Sequence, residues 1–263
     1  MLEIDRHFLA FKRKDIWFSD SPFDVDHCQG VMFYSCPNKV NARGFYRRAT
    51  PTMTLDLTQD ADSLWNNFHS HRKKSIKKAE KLGVTIKRNQ DYERFYEMDQ
   101  AFRKKKKGMP KSFVNVDYMR RYGTLFVAEL EGELLSGTFY LEDQDNIRAL
   151  IGASGRLDAD KSKARLMGDA DKLIDWAAIN YAREKGIKVF DLGGYYTGAG
   201  KNEDFEKINS VKASYGGELA LRFSYEKSYS KVYHLARMLY SLRSMPWSRL
   251  LPRDALRNQE RAS

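Results

Sequence analysis

The chain has few of the features that assign a sequence quickly. It contains two cysteines, Cys28 and Cys36, eight residues apart and with no second Cys or His pair at ligand spacing; neither a disulfide framework nor a zinc site is indicated. It has no run of eighteen apolar residues, so no segment is expected to span a membrane. The opening residues, MLEIDRHFLAFKRKDIW, lack the uninterrupted apolar stretch of a secretory signal. G-x-S-x-G, H-E-x-x-H, a P-loop and a strand-coupled G-x-G-x-x-G are all missing. Hydrolase-elbow, zinc-protease, ATPase and dinucleotide-binding readings therefore lose support. There are five histidines; His69 and His71 lie two apart, do not share a helix face, and make no metal pair. No residue is assigned to a metal. No repeat and no Pro, Gly or Ser-rich linker divides the chain.

Negative charge is the minority: 46 Lys and Arg stand against 35 Asp and Glu, a net +11, with a pI near 9.4. Such an excess favours anionic partners, whether nucleic acid, a phosphate-rich donor or an anionic membrane face. A cytoplasmic location is expected, compatible with the inner face of the membrane.

One stretch organises the rest, ADKLIDWAAINYAREKG followed by IKVFDLGGYYTGAG and KNEDFEKINSVKASYGG. Ala170, Leu173, Ile174, Ala177, Ala178, Tyr181 and Ala182 recur at spacings of three and four, which predicts an amphipathic helix ended by Gly186. Ile187 to Asp191 predicts a short buried strand that opens into Gly193-Gly194. A second helix is expected from about Asp204 to Tyr215, ended by Gly216-Gly217. A strand end that carries an acid and opens into glycines suits a ligand, because the backbone can approach it with no Cβ in the way.

Upstream, residues 1 to 50 read as two or three short strands or irregular segments, and TMTLDL, Thr52 to Leu57, as a strand. A single helix is then expected from about Asp60 to Leu82, capped by Thr58 or Asp60. Leu64, Trp65, Phe68, Ile76, Ala79 and Leu82 would form its buried side, leaving Arg72, Lys73, Lys74, Lys77, Lys78 and Lys81 on the remainder. Lys73, Lys77 and Lys81 stack along one face, mutually repulsive unless an anion neutralises them. A short strand at Val84 to Lys87, a helix from about Asp91 to Lys107, a Gly108-Met109-Pro110 loop and a helix over Asn115 to Tyr122 follow.

Leu125 to Gly155 reads as three antiparallel strands, LFVAEL, LLSGTFYL and IRALIGAS, with a tight turn at Glu131-Gly132 and another at Asp143 to Asn146. From Leu125 the order is β-β-β-α-β-α-β, the last strand being Leu219 to Tyr225. The fold class is α+β, a mixed, mainly antiparallel sheet flanked by helices. A final helix, about Ser228 to Arg243, places Val232, Leu235, Leu239 and Leu242 on one side. Such a helix packs on its own domain or lies on a membrane surface, so peripheral membrane association stays open. The expected organisation is an extension, 1–50, packing on a domain over 51–245, then a basic tail, 246–263.

The meander followed by helix, glycine-bearing strand and helix resembles the GNAT acyltransferase fold. In detail it resembles the Fem-type branch, the peptidoglycan interpeptide-bridge aminoacyltransferases and their single-domain acetyltransferase relatives. LWNNFHSHRKKSIKKAEKLGVTI is similar to that family's W, R-x-x-I-x-K-A, G-V unit; VAELEGELLSGTFYL to its strand-turn-strand; ADKLIDWAAINYAREKGIKVFDLGG to its helix before Y/F-D-x-G-G; and SVKASYGGE to F-K-x-x-F-G-G-E. Together they cover about Thr52 to Tyr225 in the family's order. Val211 stands where an aromatic residue is usual, Tyr215 where Phe is common and Asp171 where many relatives have Asn. The length also falls short of the duplicated bridge enzymes.

The resemblance implies aminolysis of an activated acyl group, carried by aminoacyl-tRNA, acyl-CoA or an acyl-carrier protein, by an amine of a cell-envelope precursor or amino sugar, with no tightly bound cofactor. It makes Lys212 the oxyanion stabiliser and Asp191 a second catalytic candidate that orients substrate or accepts a proton. Gly193, Gly194, Tyr195, Tyr196 and Tyr215 would line the substrate cleft, and Arg72, Lys73 and Lys77 would contact phosphate. A plain acetyl-CoA-dependent N-acetyltransferase and a non-catalytic tRNA- or RNA-binding module are the alternatives. The absence of an R/Q-x-x-G-x-G/A loop before the central helix, of which RLMGDA, Arg165 to Ala170, is only a partial echo, counts against the first.

Overall fold

In the computed structural model of this chain, residues 1–106, 112–198 and 203–244 are described; the Gly108-Met109-Pro110 loop and the 246–263 tail lie outside them. The chain divides into two compact units. One comprises Met1–Pro51, Tyr195–Asn209 and the stretch from Leu221 onward, and the other Thr52–Gly194 with Ser210–Ala220.

The first unit contains β1 (Leu2–Phe8), β2 (Phe11–Trp17), β3 (Gly30–Cys36) and the beginning of β4 (Tyr46–Asp56). β1 and β2 form an antiparallel hairpin, and β2 runs parallel to β3. β3 is antiparallel to β10 (Glu218–Ser228), which enters this unit at Leu221. Ile16, Val31, Phe33, Cys36, Phe223 and Tyr225 form its core. The helix expected near the C-terminus is α7 (Lys231–Ser244).

In the second unit the helix expected over Asp60 to Leu82 is two, α1 (Ala61–Asn67) and α2 (Ser70–Lys81). Asp60 caps the first, accepting the Ser63 N–H at 2.8 Å. Phe68 then adopts an extended backbone and buries its ring 5.4 Å from Trp176 and 5.3 Å from Tyr215. The His69 N–H donates to Ser214 O rather than into a continuing helix. Docking of one aromatic ring against distant segments outweighs helix continuity.

β5 (Thr85–Arg88), α3 (Tyr92–Lys105) and α4 (Val116–Tyr122) precede the meander β6 (Gly123–Leu130), β7 (Glu133–Glu142) and β8 (Asn146–Ser154). Glu131 and Gly132 both have positive φ, 50° and 81°, the backbone of a two-residue type I′ turn. After one 3-10 turn, α5 runs from Lys161 to Glu184. It starts before Ala170 because the Asp160 carboxylate accepts the Ser162 and Lys163 N–H groups. β9 spans Val189–Gly194 and α6 spans Glu203–Ala213.

Strand order in this unit is β4-β9-β8-β7-β6-β5, antiparallel throughout except for β8 and β9. α3 packs on one side, where Gly137 leaves room for Phe95; α5 packs on the other, where Tyr140 bonds Asp175. The expected fold class is the one observed: a mixed, mainly antiparallel sheet flanked by helices.

Candidate active site

The parallel pairing of β8 with β9 stops at Arg148 opposite Asp191, although both strands run on. Register partners on adjacent strands point to the same face, so these two side chains form an ion pair, Arg148 Nη1 to Asp191 Oδ2. Asp191 is only 3% exposed. Its Oδ1 accepts the Gly193 N–H at 2.7 Å and the Thr52 hydroxyl, which also lies 2.7 Å from Gly193 O. Both carboxylate oxygens are thus engaged in holding the turn, the ordinary work of an Asp beside glycines.

Gly193 has φ +85°, a left-handed conformation that a side chain would strain. A Cβ there would lie 3.5 Å from Lys212 Nζ and 4.0 Å from an Arg148 guanidinium nitrogen. Lys212, in the last turn of α6, donates to Gly194 O. Burial and the neighbouring Arg148 cation push its pKa down to about 8, against the pull of Asp191 and Asp175. At neutral pH it is a half-buried ammonium close to its titration point. Two cations therefore converge on a turn whose backbone is bare of side chains, an arrangement suited to a developing negative charge.

Behind this cluster is a polar interior. Asp175 of α5 accepts the Tyr140 hydroxyl at 2.7 Å and the Tyr215 hydroxyl, and burial pushes its carboxyl up against those bonds. Tyr215 is buried, and its phenol is held protonated chiefly by desolvation. Arg72, placed with the phosphate contacts in the sequence, lies instead on the buried side of α2 with Ile76 and Ala79. Its guanidinium bonds Ser214 and the Val211 carbonyl.

Lys73 and Lys77 do share an outward face; Lys73 reaches Asn66 O at 3.2 Å and Lys77 lies 6.0 Å from the Trp65 ring. Tyr195 and Tyr196 belong to the first unit, where the Tyr195 N–H bonds Pro51 O and Tyr196 stacks on Phe205 at 4.9 Å.

The structure thus brings Asp191, Gly193, Gly194 and Lys212 together, with Tyr215 buried behind them. Arg148, Thr52 and Asp175 are the members that sequence reasoning missed. Arg148 carries a weak signal as the lone charge in IRALIGAS; Asp175 sits beside the apolar positions of its helix. Among the described residues no group of three or more His, Cys, Asp or Glu can hold a metal, and no helix is long and apolar enough to cross a membrane.

The fold has counterparts among solved structures. It is similar to that of FemX, with a TM-score of 0.62, 14% identity, and coverage of 92% of this chain and 86% of FemX. It is also similar to L-PGS from Bacillus licheniformis, with a TM-score of 0.52, 13% identity, and coverage of 82% and 73%. A domain from Agrobacterium fabrum, assigned as the C-terminal part of a lysylphosphatidylglycerol synthetase, gives a TM-score of 0.53, 13% identity, and coverage of 81% and 71%. No protein-family model and no curated protein matches the sequence.

Proposed function

We propose that this chain is an N-acyltransferase of Fem-like type. It moves an aminoacyl or acyl group from an activated donor, aminoacyl-tRNA, acyl-CoA or an acyl-carrier protein, to an amine of a cell-envelope precursor or amino sugar. The observation that carries the reading is the Lys212 ammonium held beside the Gly193-Gly194 turn with Arg148 as its neighbour.

In the reaction the amine lone pair attacks the acyl carbon, and the carbonyl oxygen becomes an oxyanion. Collapse forms the amide and expels the ester oxygen or thiolate, while the amine proton leaves to the leaving group or solvent. Lys212 donates to the oxyanion, and charge stabilisation at a partly dry site contributes about 3–4 kcal/mol. Asp191 is a positioning residue, since both of its oxygens are engaged in orienting Arg148 and the turn. The +11 net charge and the outward Lys73 and Lys77 support an anionic donor. The exposed Val232, Leu235 and Leu239 of α7 support peripheral association with the inner membrane face.

Incubation with charged tRNA and, separately, with acetyl-CoA, each with an amine acceptor and a Lys212→Ala control, tests the reading. Transfer from either donor that falls at least about a hundred-fold in the variant is expected. Salt-dependent tRNA binding without transfer favours the RNA-binding alternative, and transfer from acetyl-CoA alone the acetyltransferase.

A further inference from the structure

A second polar site lies elsewhere in the same unit. A cavity of about 210 Å³ is lined by Phe102 of α3, Thr138 of β7, Gly152 and Ser154 of β8, Arg156 and Asp171 of α5. Asp171 and Arg156 face one cavity yet form no ion pair with each other or with any other described residue. Arg156 is exposed at the rim, its guanidinium 5.9 Å from the Phe102 ring. Ser136, buried on β7 and without a hydrogen-bond partner among the described residues, is close enough to Asp171 to favour its ionised form.

Asp171 is part-buried, and a carboxylate largely withdrawn from water without a contacting cation is costly and is ordinarily neutralised by a partner. Desolvation raises the Asp171 carboxyl to about 6, so that it is still ionised at neutral pH. Arg156, Lys172 and Ser136 act against that rise and Asp175 with it. A cation small enough for the space would compensate that charge. A primary ammonium offers three donors, and the cavity offers the Asp171 carboxylate, the Thr138 and Ser154 hydroxyls and the aromatic Phe102. The volume is below the roughly 300–1,000 Å³ of sites for drug-sized ligands and suits a single amino-acid-sized group.

We propose that this cavity binds the ammonium end of an amino-acid-sized group, with Asp171 holding the –NH₃⁺ and Arg156 facing the carboxyl end at the rim. Its use as the aminoacyl pocket of a transfer reaction rests on the reading above; the binding itself is testable without turnover.

The test titrates the full chain calorimetrically with glycine, L-alanine, L-serine and L-lysine, with their methyl esters, and with propionate. At least one amino acid and its ester are expected to bind and propionate not to. Asp171→Asn should weaken both by about ten-fold or more. Arg156→Gln should weaken the free amino acid and spare the ester. Binding should also fade as pH drops through about 6, where Asp171 protonates. Circular dichroism checks that the isosteric Asp171→Asn is folded, and exposed Arg156 gives a variant that leaves the interior intact. Propionate binding as well as alanine, an unaffected Asp171→Asn, or no amine binding at about 50 mM overturns the proposal. Amine binding with no transfer by wild type retains the pocket and counts against the transferase; transfer with no amine binding does the reverse.

Discussion

The Arg72 guanidinium carbon sits 3.5 Å from the centroid of the Tyr215 ring. Nε and Nη2 of Arg72 donate to Ser214 Oγ at 2.8 and 2.6 Å, and Nη2 also to Val211 O at 2.8 Å. A cation of α2 thereby clamps the residues on both sides of Lys212. Arg72→Ala should cost about 2–4 kcal/mol, combining the lost cation–π contact with stranded polar groups. Arg72→Lys should recover little, because an ammonium cannot reproduce the planar fork. Urea unfolding, read as a lower midpoint with unchanged slope, measures both.

Lys212 sets a pH limit. Its pKa is lowered in the fold from 10.5 to about 8, so the ammonium is present below pH 8 and lost above it. Transfer to an acceptor that does not itself titrate there should therefore fall above about pH 8. Lys212→Arg should move that limb upward, since a guanidinium stays charged. Between about pH 8 and 10.5 the unfolded chain binds the proton that the fold has released, so stability should rise across that window relative to Lys212→Met. Rate–pH profiles and denaturation at several pH values check the two statements.

Arg148 and Asp191 should behave as a coupled pair. Arg148→Met leaves a carboxylate buried without its cation and should cost about 3–5 kcal/mol. Adding Asp191→Asn should return part of that loss, because no charge is then stranded. A double-mutant cycle by chemical denaturation should give a clearly non-additive result.

The lysine face of α2 predicts a salt dependence. If Lys73, Lys77 and Lys81 meet phosphates, replacing all three with Gln should weaken tRNA binding and flatten the plot of log K against log salt by about 2–3 units. Filter binding across a salt series reads it; an unchanged slope assigns these lysines to solvent.

Much of the fold is written locally. The spacing of Leu173, Ile174, Ala178 and Ala182 produces α5, Glu131-Gly132 turns the meander, and the glycines after Asp191 mark the bare strand end. Lys212 is singled out by the resemblance of SVKASYGGE to a Fem-type motif, and Asp191 by the strand that opens into Gly193-Gly194; both stretches are contiguous in the chain.

The sequence by itself thus determined the element order from Leu125 onward, the fold class and which residues share a helix or strand face. What opposes each face was decided only by the tertiary structure. Phe68 breaks a helix because Trp176 and Tyr215 receive its ring. Arg72 reads as one more cation of a basic stripe until Ser214, 142 residues away, accepts its hydrogen bonds. Arg148 meets Asp191 through a parallel register, and Asp175 meets Tyr140 through the packing of α5 on β7. The reason is physical: periodicity is set by backbone geometry within a few residues, whereas the energy of a charged or aromatic group depends on neighbours contributed by distant segments.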